Sequence, residues 1–323
     1  MRYSLLLWPH ANARYEEAMR APLAAEANCI LSSFGIDCNC TYNRLYGVNA
    51  LCFECEELPG EAMEALRAHS HMFWLCRETE AGPVPVCGAR EACVGEDLPL
   101  VLKYKGKTNE RFTSMLINLA LYASDFAKED RILLCDPMCG KGTTLFLALN
   151  RGFDAFGTDI DKKDAAETVD YFKKYLQMHR VKHKFTSESQ TVKGSPAVGV
   201  SSFDVNGALT LKYAVSDAAL LDKVFTKRRA DIIVSDLPYG IQHAPGGLKS
   251  FEELLRSVLP ACRAMLKEGG ALAFSFNSLT LPRETVLREM EKAGLKPLRG
   301  GDWENMSHWV EQAVVRDVAV CRR

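Results

Sequence analysis

Arg131-Ile-Leu-Leu-Cys-Asp-Pro-Met-Cys-Gly-Lys-Gly-Thr-Thr144 is the stretch on which the fold turns. An apolar run ends on an acidic residue, two glycines follow, and a helical pattern begins near Thr143. A strand running through a Gly-bearing turn into a helix presents backbone N–H groups to a ligand beyond the strand's carboxyl end, as in doubly wound sheets. The rest of the chain keeps that rhythm. Apolar or β-branched runs at Asp154–Thr158, Leu209–Val215, Asp231–Ser235 and Ala271–Phe276 alternate with helical stretches near Asp164–Met178, Phe251–Leu266 and Pro282–Ala293. We therefore expect an α/β fold with a doubly wound, mostly parallel Rossmann-like sheet, covered on both faces. Ala313–Val320 has no helix after it and is predicted as an added edge strand.

Two segments stand outside the alternation. Residues 1–100 read as a small α+β domain: a helix over about Tyr15–Phe34, a strand at Gly47–Glu54, a helix near Ala62–Trp74. The Gly- and Pro-punctuated residues 81–100 read as a linker, and 101–323 as the second domain. From Asn109, Phe112, Met115, Leu116, Leu119, Ala123 and Phe126 form one helical stripe. Phe185–Asn206, rich in Ser, Thr, Gly and Lys, reads as a loop or loose hairpin inserted before the third strand.

With 323 residues, 47% hydrophobic and 25% charged, the chain is long enough to bury a large core. Leu5-Leu6-Leu7-Trp8 is too brief for a secretory signal or a membrane span, which predicts no membrane association and a cytoplasmic location. Eight of the twelve cysteines fall in the first 93 residues. Thiolates and imidazoles are zinc ligands, but the spacings of Cys38, Cys40, Cys52 and Cys55 are irregular, and cysteine also serves as a small buried hydrophobe. Structural reduced thiols are expected, and no metal. Residues 1–100 carry seven Arg, no Lys and fourteen acidic side chains, a balance of −7, so a polyanion would meet the C-terminal part first.

Three nucleotide-type ligands compete for the turn. A phosphate-cradling loop needs Gly, four residues, then Gly-Lys-Ser/Thr, but Cys135 stands where the first Gly belongs and Gly142 follows Lys141. A dinucleotide turn needs a third Gly where Leu145 stands. S-adenosylmethionine carries no pyrophosphate and needs neither. Asp159 in Gly157-Thr-Asp-Ile-Asp161 is placed to accept from ribose hydroxyls, Asp217 from the adenine amine, and Asp136 to take the methionine ammonium. Each alone is as readily a cap or a surface carboxylate; the three fall at successive strand ends.

A second motif, Ser235-Asp-Leu-Pro-Tyr-Gly240, follows the fourth strand of the alternating part. An exocyclic amine on a nucleobase is a poor nucleophile because its lone pair is delocalised into the ring. Hydrogen bonds from it to Asp236 and to a carbonyl near Leu237–Pro238 favour the pyramidal form; Pro238 stiffens the backbone and Tyr239 offers a stacking face. On its own the four-residue match is equally a strand ending in a Pro turn.

Taken with Gly157-Thr-Asp-Ile-Asp161 and Leu266-Lys-Glu-Gly-Gly-Ala-Leu-Ala-Phe274, these motifs give the segment from about Lys103 onward a resemblance to the class I methyltransferase domain of the THUMP-associated RNA guanine methyltransferases. That resemblance implies a methyltransferase fold, S-adenosylmethionine as cofactor, and methylation of a guanine exocyclic amine in RNA, mostly tRNA. It implies cofactor contacts for Asp136, Gly140, Gly142, Asp159 and Asp217, with Pro137 and Cys139 in the same turn, and an acceptor role for Asp236, Pro238 and Tyr239. Lys107-Thr108-Asn109 and the helix through Asn118 resemble the segment that closes over the cofactor's methionine end. The chain departs from the family in its short acidic N-terminal region and in Leu237, where Pro is more frequent.

Basic clusters at Lys103–Arg111, Lys162–Lys184 and Lys223–Arg229 read as a phosphate-contacting rim for tRNA or rRNA, with solvated helix faces as the bland reading. A small-molecule or peptide amine is the alternative acceptor, with the acidic N-terminal domain as a lid, and a non-enzymatic S-adenosylmethionine-binding module is a third reading. His243 lies in a Gly-bearing loop after the acceptor motif.

Overall fold

The computed structural model of the protein describes residues 1–45, 47–101, 107–192, 196–238 and 250–323. Tyr239 and His243, and the basic residues Lys103 and Lys105, lie outside them.

The N-terminal part comprises β1 (Arg2–Leu7), α1 (Ala13–Ala18), α2 (Arg20–Ser33), β2 (Thr41–Leu45), β3 (Val48–Glu54), α3 (Gly60–Leu66), β4 (Met72–Thr79) and β5 (Gly82–Gly88). Its strands form an antiparallel sheet ordered β2-β3-β1-β4-β5. Tyr3, Leu5 and Leu7 alternate inward along β1, each buried apolar side chain contributing about 1.5–3 kcal/mol. Two expectations are corrected here. The helix predicted over Ala62–Trp74 stops at Leu66, because Met72 to Trp74 pair with β1 instead. The predicted linker is largely ordered: Gly82–Gly88 is an edge strand, where Pro83 and Pro85 are tolerated because their missing N–H groups need face no partner.

After a short helix α4 (Leu98–Val101) come α5 (Glu110–Ala123), β6 (Leu133–Asp136), α6 (Thr143–Asn150), β7 (Asp154–Asp159), α7 (Lys162–Met178), β8 (His183–Gln190), β9 (Val198–Val205), β10 (Leu209–Val215) and α8 (Leu221–Val224). The chain ends with β11 (Ala230–Asp236), α9 (Phe251–Met265), β12 (Leu266–Asn277), α10 (Arg283–Lys292), β13 (Lys296–Pro297), β14 (His308–Glu311) and β15 (Val314–Arg322). Strand order is β13-β15-β12-β11-β6-β7-β10-β9-β8, with β14 on β15. The five strands β10, β7, β6, β11 and β12 run parallel. From β6 the chain winds outward through β7 and β10, then returns to the other side of β6 with β11, so the order reverses between β6 and β11. Ligands in open α/β sheets bind outside the carboxyl ends at that point.

The doubly wound sheet expected from the alternation is therefore present, with two differences. β15 is not an edge: it lies antiparallel between β12 and the two-residue β13. The segment read as a loop or loose hairpin is the regular antiparallel pair β8–β9, extending the sheet beyond β10. Its apolar face is sparse, resting on Val198, Phe203 and Val205, with Phe203 packed edge-on against Phe172 of α7.

The two sheets share one continuous hydrophobic core, joined by α5. Asn109 caps that helix by accepting from Arg111 N at 2.8 Å. Phe112, Met115, Leu116 and Leu119 bury its predicted stripe. Beside it a buried polar network ties the parts together. Glu26 of α2 accepts from Asn118, whose Oδ1 accepts from the Arg151 guanidinium, and Arg151 also donates to Ala68 O at 3.2 Å. Asn150 secures residues 93–95 by a reciprocal pair of bonds with the Gly95 backbone, at 3.2 and 2.8 Å.

Candidate active site

Asp136 and Asp236 are the last residues of β6 and β11, the two strands that flank the reversal. The motifs that contain them are directly bonded: Ser235 Oγ donates to Asp136 Oδ1 at 2.7 Å. Fold topology alone accounts for this meeting, since 99 residues separate the two partners.

Around Asp136 the turn is built from backbone. Asp136 is buried, and its Oδ1 also accepts from Met138 N at 3.0 Å. Burial pushes its carboxyl up to about 7, opposed by hydrogen bonds from Ser235, Thr144 and Met138. Every one of those donors is neutral. A cation at this position offsets the desolvation that holds the proton on. Gly142 caps α6 in the left-handed region at φ 81°, which L side chains adopt at a cost. A β-carbon at Gly157 would stand 2.5 Å from Asp136 O and 3.1 Å from Cys139 Sγ, so only Gly lets β7 pass the turn.

The remaining turn residues hold shape. Asp159 ends β7 and accepts from Gly140 N at 2.7 Å; burial raises its carboxyl. Tyr213 of β10 donates to Gly140 O at 2.7 Å and Thr158 to Pro137 O at 2.6 Å, pinning both sides of the loop. Cys139 is buried against Gly157, and burial drives its thiol well up, so it packs. Lys141 turns away to Glu167 and to Asp164 at 3.4 Å on α7. That is not the pose of a lysine reaching phosphates. Leu145 is fully buried where a dinucleotide turn would carry Gly.

Asp217, at the end of β10, accepts from Ala219 N at 2.9 Å. With Ile160, Val198, Val215 and Ser216 it lines a cavity of about 500 Å³. Ile160 is 45% exposed beside Asp159, an apolar face at the mouth of a polar cradle. The slot suits a flat heteroaromatic ring with an amine at its rim.

Around Asp236, Ser275 Oγ of β12 donates to Oδ1 at 2.6 Å and Thr108 Oγ1 donates to Oδ2. Arg316 of β15 places Nη2 3.9 Å from that Oδ2. Leu237 N donates to Ser275 O at 2.9 Å, and Pro238 is half-buried beyond it. Thr108, predicted at the cofactor, bonds Asp236. Asn118 is not at this site: it is bonded to Arg151, which caps the far end of the eight-residue α6, about 12 Å along the helix from Gly142. Ser275, Tyr213, Ile160 and Arg316 escaped the motif reading. Only Ile160 carried a local signal, an apolar residue directly after a strand-ending acid.

Among the described residues no group of three or more His, Cys, Asp or Glu is disposed to hold a metal ion, and no helix is long and apolar enough to cross a membrane. In the basic cluster on α7, Lys174 pairs with Asp170 at 2.6 Å and Lys173 lies over the Phe185 ring at 4.3 Å.

No family model matches the chain. It is 28% identical over 172 residues to the tRNA (guanine(10)-N2)-dimethyltransferase of Methanothermobacter thermautotrophicus, a match that covers 53% of this chain and 39% of that protein. The chain thus spans well under half the length of the curated relative it matches. Among solved structures it is similar to TrmN from Thermus thermophilus, at a TM-score of 0.43 and 15% identity over 91% of this chain and 64% of that one. It is also similar to the magnesium protoporphyrin IX methyltransferase of Synechocystis PCC 6803 with bound SAM, at a TM-score of 0.42 and 13% identity over 72% and 92%.

Proposed function

We propose that this protein is an S-adenosylmethionine-dependent N-methyltransferase whose acceptor is the exocyclic N2 amine of a guanine in tRNA or rRNA. The observation that carries the reading is the Ser235–Asp136 hydrogen bond, which holds a cation-seeking carboxyl and an amine-binding carboxylate on adjacent strand ends. The likeness to a protein named for guanine-N2 methylation of tRNA supports the same acceptor.

The residues fit the cofactor. Asp136 would take its ammonium group, Asp159 its ribose hydroxyls, and the Ile160–Val215–Asp217 slot its adenine, with Gly140 and Gly142 giving the backbone room to approach. When bound, it supplies an electrophilic methyl group on a positively charged sulfur. Asp236 accepts a hydrogen bond from the amine and draws its lone pair out of conjugation with the ring; the Ser275 and Thr108 hydroxyls fix the carboxylate's plane. Transfer would form the N–C bond as the methyl–sulfur bond breaks, its electron pair staying on the sulfur, and the nitrogen's proton would pass along the hydrogen bond to Asp236, whose side chain is 19% exposed and can return it to solvent. Much of the acceleration is positional, worth up to about 7–11 kcal/mol for well-aligned partners. Tyr239, as the stacking face over the base, belongs to this proposal as a residue beyond the described ones.

RNA is the proposed partner and the cytoplasm the proposed location. The test is transfer of labelled methyl into undermodified bulk tRNA and rRNA by the protein and by Asp236→Ala. The variant is expected to lose transfer by at least about 100-fold, the scale of a general acid–base contribution, while cofactor affinity stays within about threefold. Turnover retained by Asp236→Ala, or label entering neither RNA, would contradict the reading.

A further inference from the structure

The acceptor motif selects nitrogen without selecting the base, because a carboxylate beside a Pro-stiffened carbonyl suits the amine of adenine or cytosine as well as that of guanine. Arg316 is the candidate for the missing discrimination. Its guanidinium sits on β15 with a side-chain exposure of 6%, its central carbon over the Phe112 ring at 4.3 Å, and Nη2 lies 3.9 Å from Asp236 Oδ2. Burial and the ring contact restrict where its donors can go.

We propose that Asp236 and Arg316 together form a guanine-reading edge, in which the carboxylate accepts from N1–H and N2–H while Arg316 donates to O6. The proposal rests on the reading of Asp236 as the partner of the reacting amine. Along the Watson–Crick edge, guanine presents acceptor, donor, donor: O6, N1–H, N2–H. The protein presents the complement in the same order, a guanidinium N–H and then two carboxylate oxygens. With one oxygen on N2–H and the other on N1–H, O6 falls one position further along, on the Oδ2 side where Arg316 stands. Adenine presents an amine at position 6 and an unprotonated N1, so its N1 lone pair would face a carboxylate oxygen. Cytosine places N3, also an acceptor, next to its amine. Both mismatches leave a buried charge against a like-signed atom, which is how a polar site rejects an analogue.

The charged and titratable groups next to Arg316 have partners of their own. Asp317, next to Arg316 in sequence, is bound to Arg283 at 3.0 Å. His308, across from Arg316 in the β14–β15 ladder, bonds Met306 O through Nδ1 at 3.0 Å, and burial first, then Arg316, holds its imidazole down at about 4, so it stands neutral. Tyr15 of α1 packs edge-on to His308 at 6.0 Å, bringing the N-terminal part to the back of the reader.

The experiment maps by mass spectrometry the RNA position that the protein methylates, then places guanosine or 6-thioguanosine there by synthesis. 6-Thioguanosine keeps the amine and the N1–H and replaces O6 by a sulfur that accepts hydrogen bonds only weakly. The protein is expected to prefer guanosine. Arg316→Met should lower kcat/KM on guanosine RNA about 10- to 100-fold, the usual worth of one specific base contact, and leave 6-thioguanosine RNA within about threefold. A parallel fall on both acceptors would show Arg316 acting only through Asp236 and overturn the proposal, as would no fall on either. Cofactor binding serves as the fold check. If Arg316→Met does not fold, Arg316→Lys must show the guanosine-selective loss. Absence of N2-methylguanosine with the unaltered protein would mark the failure of the underlying reading, whereas N2-methylguanosine with non-selective Arg316 variants marks failure of this one alone.

Discussion

Asp136 holds the sharpest chemical contradiction in the molecule. A carboxyl raised to about 7 by burial binds a proton in the folded state that it would release in the unfolded chain, so the ligand-free protein loses stability as pH rises from about 4 towards 7. A bound ammonium group reverses the preference and favours the ionised form. Cofactor affinity should therefore weaken about fivefold from pH 7 to pH 6 and about tenfold over the next unit, as the proton must be displaced first. Isothermal titration across that range checks it, and a flat profile would remove Asp136 from the ammonium site. The residues most legible in the sequence were of this kind: Asp136, Asp159 and Asp236 are acids that terminate apolar runs, and each is the last residue of a strand. Arg316 and Ser275 were not legible, because they reach Asp236 from strands that follow it by 80 and 39 residues.

Elements were readable in proportion to their periodicity. α6, α7, α9 and α10 were placed to within a residue or two and α5 to within three, because each buries a stripe and several carry a cap such as Asn109, Asp161 or Ser250. The β8–β9 pair was not readable as strands, since Ser, Thr and Glu fill its solvent face and the apolar partners are spread over two segments. β5 was mistaken for a linker because Pro and Gly, usually punctuation, are tolerated on an edge. The turn between β6 and α6 depends on β7 as much as on its own glycines. Gly157→Ala puts a methyl 2.5 Å from Asp136 O and must displace the turn. Overpacking of this sort costs about 1–3 kcal/mol, and here it should weaken cofactor binding more than tenfold while leaving the far β12–β15 ladder intact. Thermal melts with and without cofactor measure both effects; an unchanged affinity would show that the turn does not carry the cofactor.

At the scale of the whole molecule, the acidic N-terminal part is joined to the larger sheet by shared core and shared charge. Burial draws Arg151 down to about 10, so it remains a cation at neutral pH, inside a network that reaches Glu26 through Asn118. Arg151→Met would strip the donor from Asn118 Oδ1 and from the Ala68 and Ser114 carbonyls, at a cost of about 1–3 kcal/mol. We expect a lower melting temperature with a single transition still spanning both sheets. Two separated transitions in the unaltered protein would contradict the joint core. Nothing in the sequence announced this union, because charge balance and punctuation both pointed to a separate module, and contacts such as Asn28 with Asp302 at 3.2 Å are made across 274 residues. The junction also explains how α1 comes to pack on β14, through Tyr15 and His308.

Nucleoside mass spectrometry of undermodified tRNA and rRNA, after incubation with the protein and S-adenosylmethionine carrying a deuterated methyl group, bears most directly on the central claim. The account predicts deuterium in N2-methylguanosine and in no other nucleoside, and its loss with Asp236→Ala. Label appearing in N6-methyladenosine, in a ribose or ring-carbon methyl, or in no RNA nucleoside at all would contradict it.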